Sequence, residues 1–304
     1  TAIPKFRIWN GASWLSQVSL PSTGGPPVFI VIKNRPGTNE VAAAFFDSGS
    51  DTNTLYFNGG AYLTSSWTSL TEHAITAPFN NRKLVDFVWS PSNPLKGLLV
   101  YGSGAGDLTI NSKVWTANGT GGGSWSASVD STSIGASLSS LAISGRVVGD
   151  EFIACKKDSA ATPDIYCFRN NISNVWSNPG SQTISTASDA GIQRSFDITY
   201  EPATGGLGLI VYSDNTSVPK LKKYNPTSNS WDAAPTNLNT LGGSLEAVRL
   251  IPHPDTDDIL ILLTDTNQDS YSLVWNGGTD SIYSTPAGKA FTNHSVSGSN
   301  DTNF

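Results

Sequence analysis

Six aromatic residues, Trp14, Trp67, Trp125, Trp176, Trp231 and Tyr283, recur along the 304-residue chain at intervals of 53, 58, 51, 55 and 52. An interval this even restricts the fold more than any single motif does, because self-similarity at one period is the mark of a repeat architecture. Between successive landmarks the chain reads as short β-rich stretches separated by polar turns. No segment carries a sustained apolar period of 3.6 residues with helix caps, so helix content is expected to be near nil. Repeats of about 40–50 residues made of short strands point to the blades of a β-propeller.

The fourth repeat shows the unit most clearly. Ser195–Pro202 alternates apolar and polar residues, Leu207–Asp214 is an apolar run, Pro219–Pro226 follows, and Trp231 opens the last stretch. These lengths and turns describe four antiparallel strands, A to D. Five such repeats are expected over about 28–70, 83–128, 141–179, 195–234 and 245–283, forming one propeller domain over 1–304. Residues 1–14 match strands C and D of a partial blade, since Trp9-Asn10-Gly11 resembles Trp275-Asn276-Gly277. The fold class is all-β, a propeller of about five to six four-stranded blades with an incomplete terminal blade. Three arrangements compete for its ends: a fragment of a longer repeat protein, a ring closed around five blades, or a blade completed by strand addition from another subunit.

Strand B is the most apolar stretch of most repeats (VAAAFF, GLLVY, LGLIVY, ILILL), as expected of a strand covered on both faces. Eight of the nine tryptophans lie at two repeat phases. Trp9, Trp115 and Trp275 end strand C, whereas Trp14, Trp67, Trp125, Trp176 and Trp231 start strand D. Phase-locked aromatics are expected to be buried scaffold, with Tyr283 in the same role. Trp89 stands outside the pattern and is the aromatic expected to face a ligand.

Charge and cysteine content narrow the setting. A net charge of −6 and 18 Lys plus Arg offer no basic stripe for nucleic acid. No apolar run is long enough for a membrane-spanning helix. Cys155 and Cys167 lie on two stretches that read as an antiparallel hairpin, at a separation that a disulfide can bridge. The absence of Met and the start at Thr1 lead us to expect a processed or excised product, and with the cysteine pair an extracellular or cell-surface setting is expected. N-glycosylation sequons occur at Asn118, Asn171, Asn215, Asn293 and Asn300, a number that composition alone would produce.

The segment Tyr224-Asn225-Pro226 to Trp231 resembles the Y-x-P-x-x-x-x-W stretch of kelch-repeat propellers. The Trp9-Asn10-Gly11 to Trp14 pattern is similar to six-bladed lectin propellers and to repeat domains of microbial surface proteins. Two departures accompany the resemblance. Paired glycines after strand B are missing from most repeats, and the Arg and Glu that sugar-binding propellers repeat in each blade have no matching phase here. The seven arginines (Arg7, Arg35, Arg82, Arg146, Arg169, Arg194, Arg249) fall at unrelated phases.

No catalytic constellation is legible: His73, His253 and His294 are far apart, and no nucleophile elbow, phosphate loop or zinc-protease motif occurs. The turns holding Asp47 and Asp51, and Asp255 and Asp257, invite a calcium reading, since hard cations take carboxylates from short loops. Asp is also a turn former in its own right, and no cofactor is expected. The function expected is a non-enzymatic extracellular interaction or structural module, through adhesion or self-assembly with protein partners. The alternative is a carbohydrate-binding propeller lectin with glycan partners.

Overall fold

The computed structural model describes residues 2–49, 51–57, 67–68, 70–74, 83–104, 106–119, 122–178, 183–188, 194–204, 206–285 and 289–294. Among them every regular element is a β-strand. A hairpin of β1 (Lys5–Phe6) and β2 (Val18–Ser19) comes first. The first blade is β3 (Pro27–Asn34), β4 (Val41–Asp47), β5 (Thr52–Phe57) and β6 (Thr71–Ala74). The second is β7 (Val85–Trp89), β8 (Lys96–Tyr101), β9 (Asn111–Ala117), β10 (Gly123–Trp125) and β11 (Val129–Asp130). The third is β12 (Leu138–Gly145), β13 (Glu151–Asp158), β14 (Ile165–Asn171) and β15 (Thr183–Ser185).

The fourth blade is β16 (Phe196–Tyr200), β17 (Gly208–Tyr212), β18 (Lys220–Asn225), β19 (Ser230–Trp231) and β20 (Thr236–Asn237). The fifth is β21 (Leu245–Pro252), β22 (Ile259–Asp265), β23 (Ser270–Asn276), β24 (Ser281–Ile282) and β25 (Thr292–Asn293). Strands within each blade are ordered as in the sequence, and every register resolved is antiparallel. Where a blade has five strands, strand D is in two pieces that pair with the two ends of strand C. The N-terminal hairpin has the same form, with the Trp9–Trp14 bridge on the turn side of the pairs Phe6–Val18 and Lys5–Ser19.

Two compact units divide the chain: Thr1–Leu141 with Asn171–Val175, and Ala142–Asn170 with Trp176–Phe304. In the first, the hairpin packs through Phe6 on Ala43, Phe45 and Leu55, one face of β4 and β5. In the second, two clusters run between neighbouring blades: Ile153, Cys155 and Cys167 with Ile198 and Ile210, and Leu209, Val211 and Leu221 with Val248, Ile259 and Ile261. Each Leu or Ile buried this way contributes about 1.5–3 kcal/mol.

Strand B is buried on both faces in β8, β13 and β17 and nearly so in β4. In β22 the faces differ, because Ile259, Ile261 and Leu263 enter a core cluster while Leu260 and Leu262 stay half-buried. Cys155 on β13 and Cys167 on β14 form a disulfide with Cα atoms 4.1 Å apart.

Two Asp residues at the end of strand B clasp the chain entering strand A. Asp47 accepts the Gly25 N–H (3.0 Å) on one oxygen and the Gly49 and Asp51 N–H groups (2.8 and 3.1 Å) on the other. Asp265 repeats this with Gly243 (2.6 Å), Asn267 (2.9 Å) and Asp269 (3.0 Å), and also accepts the Tyr271 hydroxyl (3.1 Å). Glycine is required at the clasped position: a Cβ on Gly25 would sit 2.6 Å from the Gly49 nitrogen, and one on Gly243 2.6 Å from the Thr266 hydroxyl.

Candidate functional site

Backbone pairing between strands C and D aligns the blades residue by residue. Trp9 bridges Trp14, Phe57 bridges Trp67, Trp115 pairs with Trp125, Tyr224 with Trp231, and Trp275 with Ile282. Most landmark aromatics therefore face another aromatic across the hairpin, an arrangement that adds about 0.5–1.5 kcal/mol beyond burial. Two positions depart from the expected phase. Ile282, not Tyr283, faces Trp275, and the next residue in a strand points to the other face; the Tyr283 hydroxyl reaches the Asp258 carboxylate (3.4 Å). In the third blade Ser177 bridges Arg169, while Trp176 packs edge-on against Phe168.

Between strands C and D of the first blade and those of the second lies a cleft of about 410 Å³. Its walls are Thr54, Tyr56, Thr68 and Thr71 on one side and Trp115, Ser124 and Trp125 on the other, and among the described residues no charged side chain lines it. The rings form a continuous path, with Tyr56 5.0 Å from Trp115 and Trp115 5.1 Å from Trp125. His73 sits behind Trp125 at 4.8 Å and shares a 2.7 Å hydrogen bond with the Thr54 hydroxyl. Burial, reinforced by Lys113, pushes the imidazole down to about 3, so it is neutral near neutral pH. Burial likewise raises the Tyr56 phenol above its usual range, against the pull of Arg35.

Two polar groups at this cleft, the Tyr56 hydroxyl and the Trp115 indole N–H, are buried with no hydrogen-bond partner among the described residues. Buried polar groups are satisfied in the great majority of cases, and these two lie on touching rings.

A matching cleft of about 240 Å³ occurs between the fourth and fifth blades, lined by Leu221, Lys223, Thr236, Asn237, Trp275 and Asp280 among others. Backbone bonds set the correspondence: Thr68 donates to the Tyr56 carbonyl as Asp232 does to that of Lys223. Lys223 thus stands where the first cleft has Tyr56. The Trp275 indole, equivalent to that of Trp115, donates to Glu201 at 2.9 Å. The same carboxylate accepts the Leu207 N–H at 2.7 Å. Burial raises the Glu201 carboxyl above its usual range, opposed by these two hydrogen bonds and assisted by Asp280 and Asp257.

Several sequence expectations change here. Trp89, expected to face a ligand, is 4% exposed: its indole N–H donates to the Lys33 carbonyl (3.0 Å) and its ring lies 6.1 Å from Tyr56. It supports the cleft from behind. Conversely, Trp9 and Trp14 were expected to be buried but are 51% and 62% exposed, because the hairpin has no strands A and B beside it among the described residues. Trp115, Trp231 and Trp275 are buried, whereas Trp67, Trp125, Trp176 and Tyr283 are half-buried.

Nor are the arginines all at unrelated phases. Arg35 and Glu40, and Arg146 and Glu151, occupy one position in the A–B turn, closed in each case by the same backbone hydrogen bond. Arg35 and Glu40 form an ion pair; Glu151 instead pairs with Arg169 (2.7 Å) and accepts the Tyr200 hydroxyl (2.6 Å). The spacing R-x-x-x-x-E, seen twice, was the available signal.

In the calcium-candidate turns, the Asp47 oxygens are taken by backbone N–H groups, and burial, Asp47 and Glu72 raise the Asp51 carboxyl. Asp257 accepts the Ala203 and Thr204 N–H groups (2.9 and 3.0 Å), and Asp255 is exposed. Among the described residues no three His, Cys, Asp or Glu side chains converge. Asn118, Asn171, Asn215 and Asn293 are exposed, and Asn300 lies outside the described residues.

No protein-family model and no curated protein matches the chain. Solved structures do. The BP39L lectin of Burkholderia pseudomallei is similar over 88% of this chain and 72% of its own, with a TM-score of 0.63 at 10% identity. The fucose-specific lectin of Aleuria aurantia is similar over 85% of this chain and 79% of its own, with a TM-score of 0.51 at 14% identity. A prolyl endopeptidase matches 93% of this chain but 39% of its own, with a TM-score of 0.52 at 11% identity. At these identities the likeness shows the fold: the chain is a β-propeller of four-stranded blades with an incomplete terminal blade.

Proposed function

We propose that the protein is a non-enzymatic carbohydrate-binding propeller whose ligand enters the cleft between the first and second blades. The observation that carries this reading is the lining of that cleft, three aromatic rings and four hydroxyl-bearing Thr and Ser side chains with no charged group among the described residues. A sugar ring has apolar C–H faces that pack on an aromatic surface and hydroxyls that need hydrogen-bond partners, and such a wall offers both. Lectins among the similar structures support the reading. The Cys155–Cys167 disulfide supports an oxidising, extracellular setting. A glycan array probed with the purified chain and with Trp125→Ala tests the proposal. Selective binding that weakens at least tenfold in the variant is expected, and uniform absence of binding refutes it.

The exposed Trp9 and Trp14 favour a second reading, adhesion or self-assembly by strand addition at β1. Their counterparts Trp115, Trp231 and Trp275 are 6%, 8% and 2% exposed. Light scattering decides this one: concentration-dependent oligomers that vanish in Trp14→Ser support it, and a monomer at all concentrations does not.

A further inference from the structure

Resting on the carbohydrate reading, we infer that the two equivalent clefts differ in role: the one between blades one and two takes a single uncharged sugar, and the one between blades four and five takes none, its Trp275 indole donor being held by the chain's own Glu201. The two are built from the same positions of the repeat, so their differences can be read one by one. Tyr56 is replaced by Lys223, Trp125 by Ile282 and Gly123 by Asp280. The first cleft therefore keeps three aromatic rings, whereas the second keeps Trp275 alone and gains a cation and a carboxylate.

The indole N–H groups complete the contrast. Trp275 donates to Glu201, so its one donor is already used. Trp115 has no acceptor among the described residues, and the Tyr56 hydroxyl beside it has none either. A buried donor gains a full hydrogen bond when an oxygen is brought to it, because no competing bond must first be broken. At the first cleft no described side chain takes the part that the buried Glu201 carboxylate takes behind the second, and a ligand oxygen reaching the Trp115 indole would fill it. The uncharged wall of the first cleft also sets the ligand class. A neutral polyol loses little on entering it, whereas an acidic sugar would be desolvated with no cation among the described lining residues to meet it.

The test follows the indole N–H resonances of the ¹⁵N-labelled chain, assigned through Trp115→Phe, Trp125→Phe and Trp275→Phe. The probes are the methyl glycosides of galactose, glucose, mannose and N-acetylglucosamine, with N-acetylneuraminic acid as the charged contrast. Calorimetry supplies the stoichiometry. A neutral glycoside is expected to shift Trp115 and Trp125 but not Trp275, at one per chain. Trp115→Phe should weaken it about five- to tenfold, the loss of one hydrogen bond, and Trp275→Phe less than about twofold. Two equal sites, a Trp275 shift that tracks Trp115, or preference for N-acetylneuraminic acid overturns the inference. One arm needs no sugar: Glu201→Gln should move the Trp275 resonance and leave Trp115 in place. A chain that passes this arm yet binds no probe loses the carbohydrate reading and the open-cleft assignment with it. A Trp275 resonance indifferent to Glu201→Gln overturns the occupied-donor assignment by itself, even if a sugar binds.

Discussion

Asp265→Ala should be among the most damaging single substitutions in the fifth blade. The side chain is fully buried and accepts from Gly243, Asn267, Asp269 and the Tyr271 hydroxyl. Hydrogen bonds to a charged acceptor contribute about 1.5–3 kcal/mol each, and bonds sharing one carboxylate are not additive. Asn267 is exposed, so water can replace its bond, while Tyr271 is buried at 3% exposure and Gly243 is half-covered. Counting the other three partners, Gly243, Asp269 and Tyr271, with partial rescue gives a loss of about 3–5 kcal/mol. Urea denaturation followed by tryptophan fluorescence should then show a midpoint lowered by at least about 1 M, taking a slope of about 3 kcal/mol per molar. Asp265→Asn can still accept from Asn267 and Asp269, but its amide would meet the Gly243 N–H donor to donor, so roughly half the loss is expected. Asp47→Ala should be nearly as costly in the first blade, with three partners in place of four. A loss under about 1 kcal/mol for Asp265→Ala would refute the clasp as a stabilising device.

Replacing both Cys155 and Cys167 by Ala should cost about 3 kcal/mol, the chain-entropy value for a loop closed at a separation of 12 residues; reduction should lower the wild-type melting temperature and leave the double variant unchanged. His73 should make the fold acid-sensitive: burial holds its folded pKa at about 3, below the ordinary imidazole value of 6.5. Its stabilising contribution is therefore complete above that value and is lost as pH falls toward 3, on the order of 4 kcal/mol. His73→Gln should flatten that part of a pH–stability profile measured by chemical denaturation, and an unchanged profile would sink the assignment. Glu201 runs in the opposite sense, because a carboxyl raised by burial makes stability fall as pH rises above its unfolded value of 4.5; Glu201→Gln should remove that decline. Millimolar calcium should leave the melting temperature within about 1 °C, since the Asp47 oxygens are already held by backbone donors.

Much of the architecture was legible because the signals are local. Alternation, apolar runs and turn residues mark strands wherever they occur, and five repeats in one phase leave few alternatives to blades. The pairing of Cys155 with Cys167 was legible for the same reason, since both partners belong to one hairpin. Local signals also hid things. R-x-x-x-x-E at Arg35 and Arg146 was present, but its phase became visible when the A–B turns were aligned by their backbone hydrogen bonds. Tyr283 shows the cost of a one-residue error: it keeps the spacing but sits on the opposite face from the side chain that meets Trp275.

The candidate site was decided elsewhere. Tyr56, His73, Trp115 and Trp125 come from two blades, and none carries a motif that announces a partner some sixty residues away. Burial is a property of what lies across from a residue. Hence Trp89, outside the repeat phase, became a buried support, and Trp9 and Trp14, inside it, were left exposed. The sequence by itself determined the blade, its strand order, its period and its cross-linked hairpin, all set by contacts between near neighbours in the chain. Only the tertiary structure decided which side chains line each cleft and which donors lack acceptors, because those depend on side chains that meet when one blade packs against the next.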